Sequence, residues 1–184
     1  MTALAKGTAK IRISLGSKSK EFEIEVSDGD GLEYKTTDGD VYAIKSIKEK
    51  TVNVEKIDGW GLEKTIPDTV EIAGDIYKVV GIDGNAFKGN TKITKVTVGN
   101  NVKTIDSNTF SGCKKLWKVT LGKNVTSIGK GAFSGCKKLS RLHIKSTKLK
   151  KVGKNAFKGA YKKLVIKVPK KKLKAYKKLI KIKT

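Results

Sequence analysis

Four copies of one short block constrain this chain more than any other feature. Gly-Asn-Ala-Phe-Lys-Gly (84–89), Ser-Asn-Thr-Phe-Ser-Gly-Cys (107–113), Lys-Gly-Ala-Phe-Ser-Gly-Cys (130–136) and Lys-Asn-Ala-Phe-Lys-Gly (154–159) put phenylalanine at 87, 110, 133 and 157, in steps of 23, 23 and 24 residues. A unit this short cannot bury its own apolar face, so neighbouring copies must stack into a solenoid with one continuous core. Such a molecule presents extended surface rather than an enclosed catalytic pocket.

Alignment on the phenylalanines brings the other apolar positions into columns. Ile93, Leu116 and Leu139 form one, followed by Val96/Val119/Leu142, Val98/Leu121/Ile144, Val102/Val125/Leu149 and Ile105/Ile128/Val152. One extra residue between Ile144 and Leu149 accounts for the single longer step. Val-Thr-Val, Val-Thr-Leu and Leu-His-Ile alternate apolar and polar, which predicts a short half-buried strand in each copy. A second small strand is expected at Val102–Ile105 and Val125–Ile128. The Ala-Phe-x-Gly segment reads as a helical turn stopped by glycine, with Phe filling the core.

These units closely resemble the BspA-like leucine-rich repeats of bacterial and protozoan surface proteins, which run Ile-Gly-x-x-Ala-Phe-x-Gly-Cys-x-x-Leu-x-x-Val-x-Ile. Residues 128–144 match that pattern almost position for position, and the resemblance covers roughly 64–184. It implies an α+β repeat solenoid: a leucine-rich-repeat stack of short strands and helical turns, with a β-hairpin cap at the N-terminus and a short C-terminal helix. The common leucine-rich pattern places asparagine at the corner after the strand. Asn101 and Asn124 occupy that position, whereas Thr147 interrupts the row. The resemblance also implies a non-enzymatic module for adhesion to host or bacterial surface proteins, extracellular or on the cell surface.

The ends read differently. Residues 6–15 and 21–26 alternate around Gly16-Ser-Lys-Ser-Lys and predict a hairpin. Its wording is similar to the last two strands of a bacterial Ig-like domain, a domain that needs about 100 residues when whole. The expectation is that Met1 opens a fragment whose signal peptide lies upstream, the alternative being a self-standing capping hairpin. Asp28-Gly-Asp-Gly marks a linker. Val41–Ile47 and Thr51–Ile57 predict a second hairpin that seals the open end of the core together with Trp60 and Ile66–Ile82. Pro169 suits the first turn of a helix, and Leu173, Tyr176 and Ile180 recur on one stripe. The expected division is therefore hairpin 1–27, linker and cap 28–65, repeats 66–168, and capping helix with tail 169–184.

Charge is lopsided along the chain. Residues 1–100 carry 15 Lys+Arg against 16 Asp+Glu, whereas 101–184 carry 26 against Asp106 alone, giving −1 and +25 toward the total of +24. Arg141 is the sole arginine of the second half. Nucleic-acid readers favour arginine for bidentate contacts, so only non-specific nucleic-acid binding is expected; lysine suits anionic polymers or simple solvation. No apolar run approaches the length of a membrane-spanning helix. A monomer is expected.

Cys113 and Cys136 share a repeat column. Stacked coils about 4.8 Å apart fall within the roughly 4.4–6.8 Å that disulfides tolerate, but parallel side chains oppose the torsion, which favours buried thiols. No zinc spacing exists, Asp28, Asp30, Asp38 and Asp40 lack a calcium-loop spacing, and no cofactor motif is present. His143, the single histidine, lacks a carboxylate to orient it, so no catalytic constellation forms.

The outward strand positions are the candidate binding residues. Lys95, Lys118 and Arg141 form one row; Thr97, Thr120, His143 and Lys167 form the next; Trp117 projects just before Lys118. Like charges about 5 Å apart repel by roughly 0.8 kcal/mol even in water, which suggests hydrated lysines or an anionic partner. Exposed Trp beside Lys and Arg is a typical anchor, the alternative being a shield for the neighbouring strand edge. Two functions follow: an interaction module binding proteins or anionic polymers, or an accessory module that holds a larger secreted enzyme on anionic wall or matrix polymer.

Overall fold

A computed structural model describes residues 7–15, 18–27, 31–57 and 61–180, with side chains from residue 32 onward. The N-terminal part is antiparallel: β1 (Gly7–Leu15), β2 (Lys18–Ser27), β3 (Gly31–Lys35), β4 (Val41–Ser46) and β5 (Thr51–Lys56) pair in chain order. β6 (Glu63–Ile66) follows, then the antiparallel pair β7 (Thr69–Ile72) and β8 (Asp75–Ile82). From here each coil supplies one longer and one shorter strand: β9 (Lys95–Val98) and β10 (Thr104–Ile105), β11 (Lys118–Leu121) and β12 (Ser127–Ile128), β13 (Arg141–Ile144) and β14 (Lys151–Val152). β15 (Val165–Lys167) leads through a tight helical turn at Lys170–Lys172 into α1 (Leu173–Leu179).

Two parallel sheets result. The first runs β6-β9-β11-β13-β15; the second stacks β8-β10-β12-β14. β5 joins β8 in parallel, so the antiparallel strands continue the second sheet rather than standing apart from it. Alternation does the sorting: β9 and β11 bury every second residue, placing Val96, Val98, Val119 and Leu121 inside. Phe87, Phe110, Phe133 and Phe157 close the third side as a ladder, with ring centroids 4.7, 5.2 and 5.5 Å apart and the last two pairs nearly parallel.

The Ala-Phe-x-Gly segments are runs of hydrogen-bonded turns, not helices. Lys88 N donates to Asn85 O and Asn90 N to Phe87 O, three residues apart, and the glycine that follows Phe turns the chain away at positive φ (74° at Gly112, 71° at Gly135). One turn is all the repeat allows before its next strand. The architecture is therefore a β-solenoid with one short C-terminal helix, and the α+β mixture expected from the sequence shrinks to that helix. Close stacking fixes another glycine: a Cβ on Gly122 would run into the carbonyl of Gly99 in the coil beneath.

The corners after the first-sheet strands are held by a side-chain relay. Asn101 Nδ2 donates to Asp68 O (3.0 Å), and Asn124 Nδ2 donates to Asn100 O (2.8 Å). Where Thr147 breaks the asparagine row, Ser146 Oγ takes over by donating to Val125 O at 2.6 Å. The buried Tyr176 hydroxyl closes the relay: it donates to Ser146 O and accepts from Leu149 N (3.1 and 2.9 Å). The apolar stripe of α1 shifts accordingly. Tyr176 is buried with Leu179 and Ile180 packed beside it, while Leu173, expected in the stripe, is exposed. Trp60, Asp28, Asp30 and Met1 lie outside the described residues.

Candidate binding face

Parallel register converts the outward residues into straight rows along the solenoid axis. Glu63, Lys95, Lys118, Arg141 and Val165 stand opposite one another in successive strands; Thr65, Thr97, Thr120, His143 and Lys167 make the adjacent row. Both predicted rows thus exist as rows. Glu63 was not anticipated, because β6 lies before the first complete repeat and only the strand pairing puts it in line. It alters the electrostatics of the row: Lys95 Nζ sits 2.7 Å from Glu63 Oε2. The row accordingly begins with a neutralised pair, and its free positive charge starts at Lys118. Among the described residues, Lys118, Arg141 and Lys167 have no carboxylate within ion-pair reach.

Trp117 is 37% exposed, as its place before β11 predicts. Arg141 Cζ lies 5.6 Å and Lys118 Nζ 5.9 Å from its ring centroid, within cation–π range. Its neighbours in the same column, Thr94 and Ser140, are short, and the three are tied by Trp117 N to Thr94 O (2.8 Å) and Ser140 N to Trp117 O (3.0 Å). The indole therefore stands proud of the coils on either side.

His143 belongs to the same face. Partial burial, and then the charges of Lys167, Lys145 and Lys118, hold its pKa below the ordinary 6.5. The imidazole is therefore mostly neutral at pH 7, and among the described residues it has no carboxylate partner. Cys113 and Cys136 are free, buried and remote from chemistry: each thiol donates to a phenylalanine carbonyl of the coil beneath (Phe87 O and Phe110 O, both 3.0 Å), and burial pushes both pKa values up to about 12.

A second pair that sequence reasoning missed lies at the start of the stack. Lys64 points inward from β6, in the column that Val96, Val119 and Leu142 fill further along, and its ammonium meets Asp40 Oδ2. Asp40 is buried and its other oxygen, Oδ1, has no hydrogen-bond partner. Asp40, considered in the sequence only among aspartates that lack a calcium-loop spacing, is thus the counter-ion of the half-buried Lys64.

Stacked parallel coils, a phenylalanine ladder and a charged outer face define a leucine-rich repeat protein of the β-solenoid kind. The BspA type leucine rich repeat model matches residues 65–180 with 6 copies, and the chain belongs to that family. A leucine-rich repeat protein from Bacteroides ovatus is 27% identical, superposes with a TM-score of 0.62, and is matched over 74% of this chain and 37% of its own length. One from Bacteroides capillosus is 23% identical with a TM-score of 0.65, over 74% of this chain and 98% of its own. A leucine rich cell surface protein of Faecalibacterium prausnitzii shares the fold at 20% identity and a TM-score of 0.56, over 77% of this chain and 44% of its own. No curated protein matches the sequence significantly. Among the described residues no helix is long and apolar enough to cross a membrane.

Proposed function

We propose that this chain is a non-enzymatic interaction module, displayed on a cell surface or secreted, which attaches through the outer face of its first sheet to anionic polymers or to acidic patches on host or bacterial surface proteins. The observation that carries this reading is the set of cations Lys118, Arg141 and Lys167, without an ion pair among the described residues, which lie in two adjacent rows on successive coils around the exposed Trp117. A rigid sheet fixes those charges at the coil spacing of about 4.8 Å, so a chain-like partner meets them in series. Family membership supports an interaction role, and the fold shared with the cell surface protein of F. prausnitzii supports the placement.

The test is retention on immobilised heparin. Binding should be firm at about 50 mM salt and fall steeply by about 200 mM, as release of condensed counterions requires. No retention at low salt, or retention indifferent to salt, would remove the polyanion reading and leave the lysines as solvation.

A further inference from the structure

The basic character of this face extends beyond the two strand rows. Five residues after each phenylalanine stands a lysine, giving the column Lys92, Lys115, Lys138 and Lys162 along the turns that lead into the first sheet. Lys115, Lys138 and Lys162 are exposed and carry no ion pair among the described residues. Trp117 rises between this column and the strand rows. Tyr161, 42% exposed at the turn before β15, adds a second aromatic two coils further along.

We propose that this surface takes a linear acidic polysaccharide, laid along the solenoid axis with one sugar ring seated on Trp117. Its carboxylate or sulfate groups are held by Arg141 and Lys118 on one side and by Lys115, Lys138 and Lys162 on the other. The proposal rests on the polyanion reading of the face and narrows it. Three features select a sugar chain over other polyanions. The indole is flanked in its own column by Thr94 and Ser140, so a flat ring can lie against it; pyranose C–H faces pack on aromatic rings as apolar bodies, while their charged substituents reach outward. Cations from two successive coils stand over that ring at 5.6 and 5.9 Å, so a seated sugar displaces one of them from the ring face and its anionic substituent then takes that cation as partner. An extended hexose chain also advances by close to one coil spacing per ring, so successive acidic sugars meet successive lysines. A single-stranded nucleic acid favours a series of stacking aromatics with arginine, and here lysines separate the two aromatics.

The experiment compares the affinity of the full chain at about 50 mM salt for polygalacturonate, dextran sulfate, inorganic polyphosphate and polyglutamate, matched in charge per chain. The sugar polymers should bind roughly tenfold tighter than the two ringless polymers, the scale of one good aromatic contact. Polygalacturonate against dextran sulfate shows whether carboxylate or sulfate is the preferred group. Trp117→Ala should abolish that preference and leave the salt slope unchanged, Trp117→Phe should keep part of it, and Arg141→Gln should lower the slope by about one. Equal affinity for all four polymers, with no effect of Trp117→Ala, would overturn the sugar proposal and leave the polyanion face intact. Tighter, Trp117-dependent binding of single-stranded DNA would also overturn it. Failure to bind any of the polymers would overturn both readings.

Discussion

Phe110→Ala should show how far stability rests on the phenylalanine ladder. The ring is fully buried and lies between Phe87 at 4.7 Å and Phe133 at 5.2 Å, with a coil on either side that cannot collapse without breaking strand register. Phe→Ala in a core costs about 3–5 kcal/mol, the larger losses occurring where the surroundings cannot relax, so Phe110 and Phe133 belong at about 4–5. Phe157 keeps 8% of its surface in water and, among the described residues, stacks on Phe133 alone, so its truncation should cost about 3 kcal/mol. Urea unfolding followed by circular dichroism reads the difference. With a slope of roughly 2 kcal/mol per M, the midpoint should fall by about 2 M for Phe110→Ala and visibly less for Phe157→Ala. Equal, small shifts at all four positions would refute the idea that the coils stabilise one another through this ladder.

Three further outcomes follow from named contacts. Cys113 and Cys136 should resist a thiol reagent in the native protein and react fully in denaturant, because both are buried with pKa values near about 12; absence of free thiol after unfolding without reductant would contradict this. Asp40→Ala should destabilise by about 3 kcal/mol, the low end for breaking a buried pair because Lys64 keeps 20% of its side chain exposed. Adding Lys64→Val, the residue its column uses in the next coils, should restore the loss in melts, and a double variant no better than the single would refute the pairing. His143 has a lowered pKa, so protonation favours the unfolded chain: stability should decline as pH falls below about 6.5, by an amount His143→Gln removes. A bound polyanion reverses that bias by neutralising Lys118, Lys145 and Lys167, so polymer affinity should rise over the same interval in titration calorimetry, and pH-independent affinity would count against His143 lying in the contact.

What the sequence disclosed and what it hid have a common physical cause. Phase between repeats was sufficient to place Lys118, Arg141 and Trp117, because parallel stacking carries a column unchanged from coil to coil. Contacts made by non-repeating residues had no such phase. Glu63 reaches Lys95 only because β6 adds to the sheet before the first whole repeat, and Asp40 reaches Lys64 from a turn between antiparallel strands. Tyr176 likewise closes the relay behind Ser146 from a helix nearly 30 residues beyond Thr147, which no spacing rule announces. The turns around each Phe were legible, since a glycine at positive φ two residues after each phenylalanine ends the segment after one turn, whereas the α+β mixture implied by the resemblance reduces to α1.

The most direct test of the central claim is a matched pair of triple charge reversals. One replaces Lys118, Arg141 and Lys167 on the sheet face by Glu; the other does the same at Lys174, Lys177 and Lys178 of α1, all three exposed. Both change net charge equally, so a partner drawn by overall charge alone would be weakened equally. A registered binding face predicts that the first variant loses nearly all affinity for an acidic polymer, with a reduced salt slope, while the second keeps most of it. Equal losses in the two variants would contradict the account.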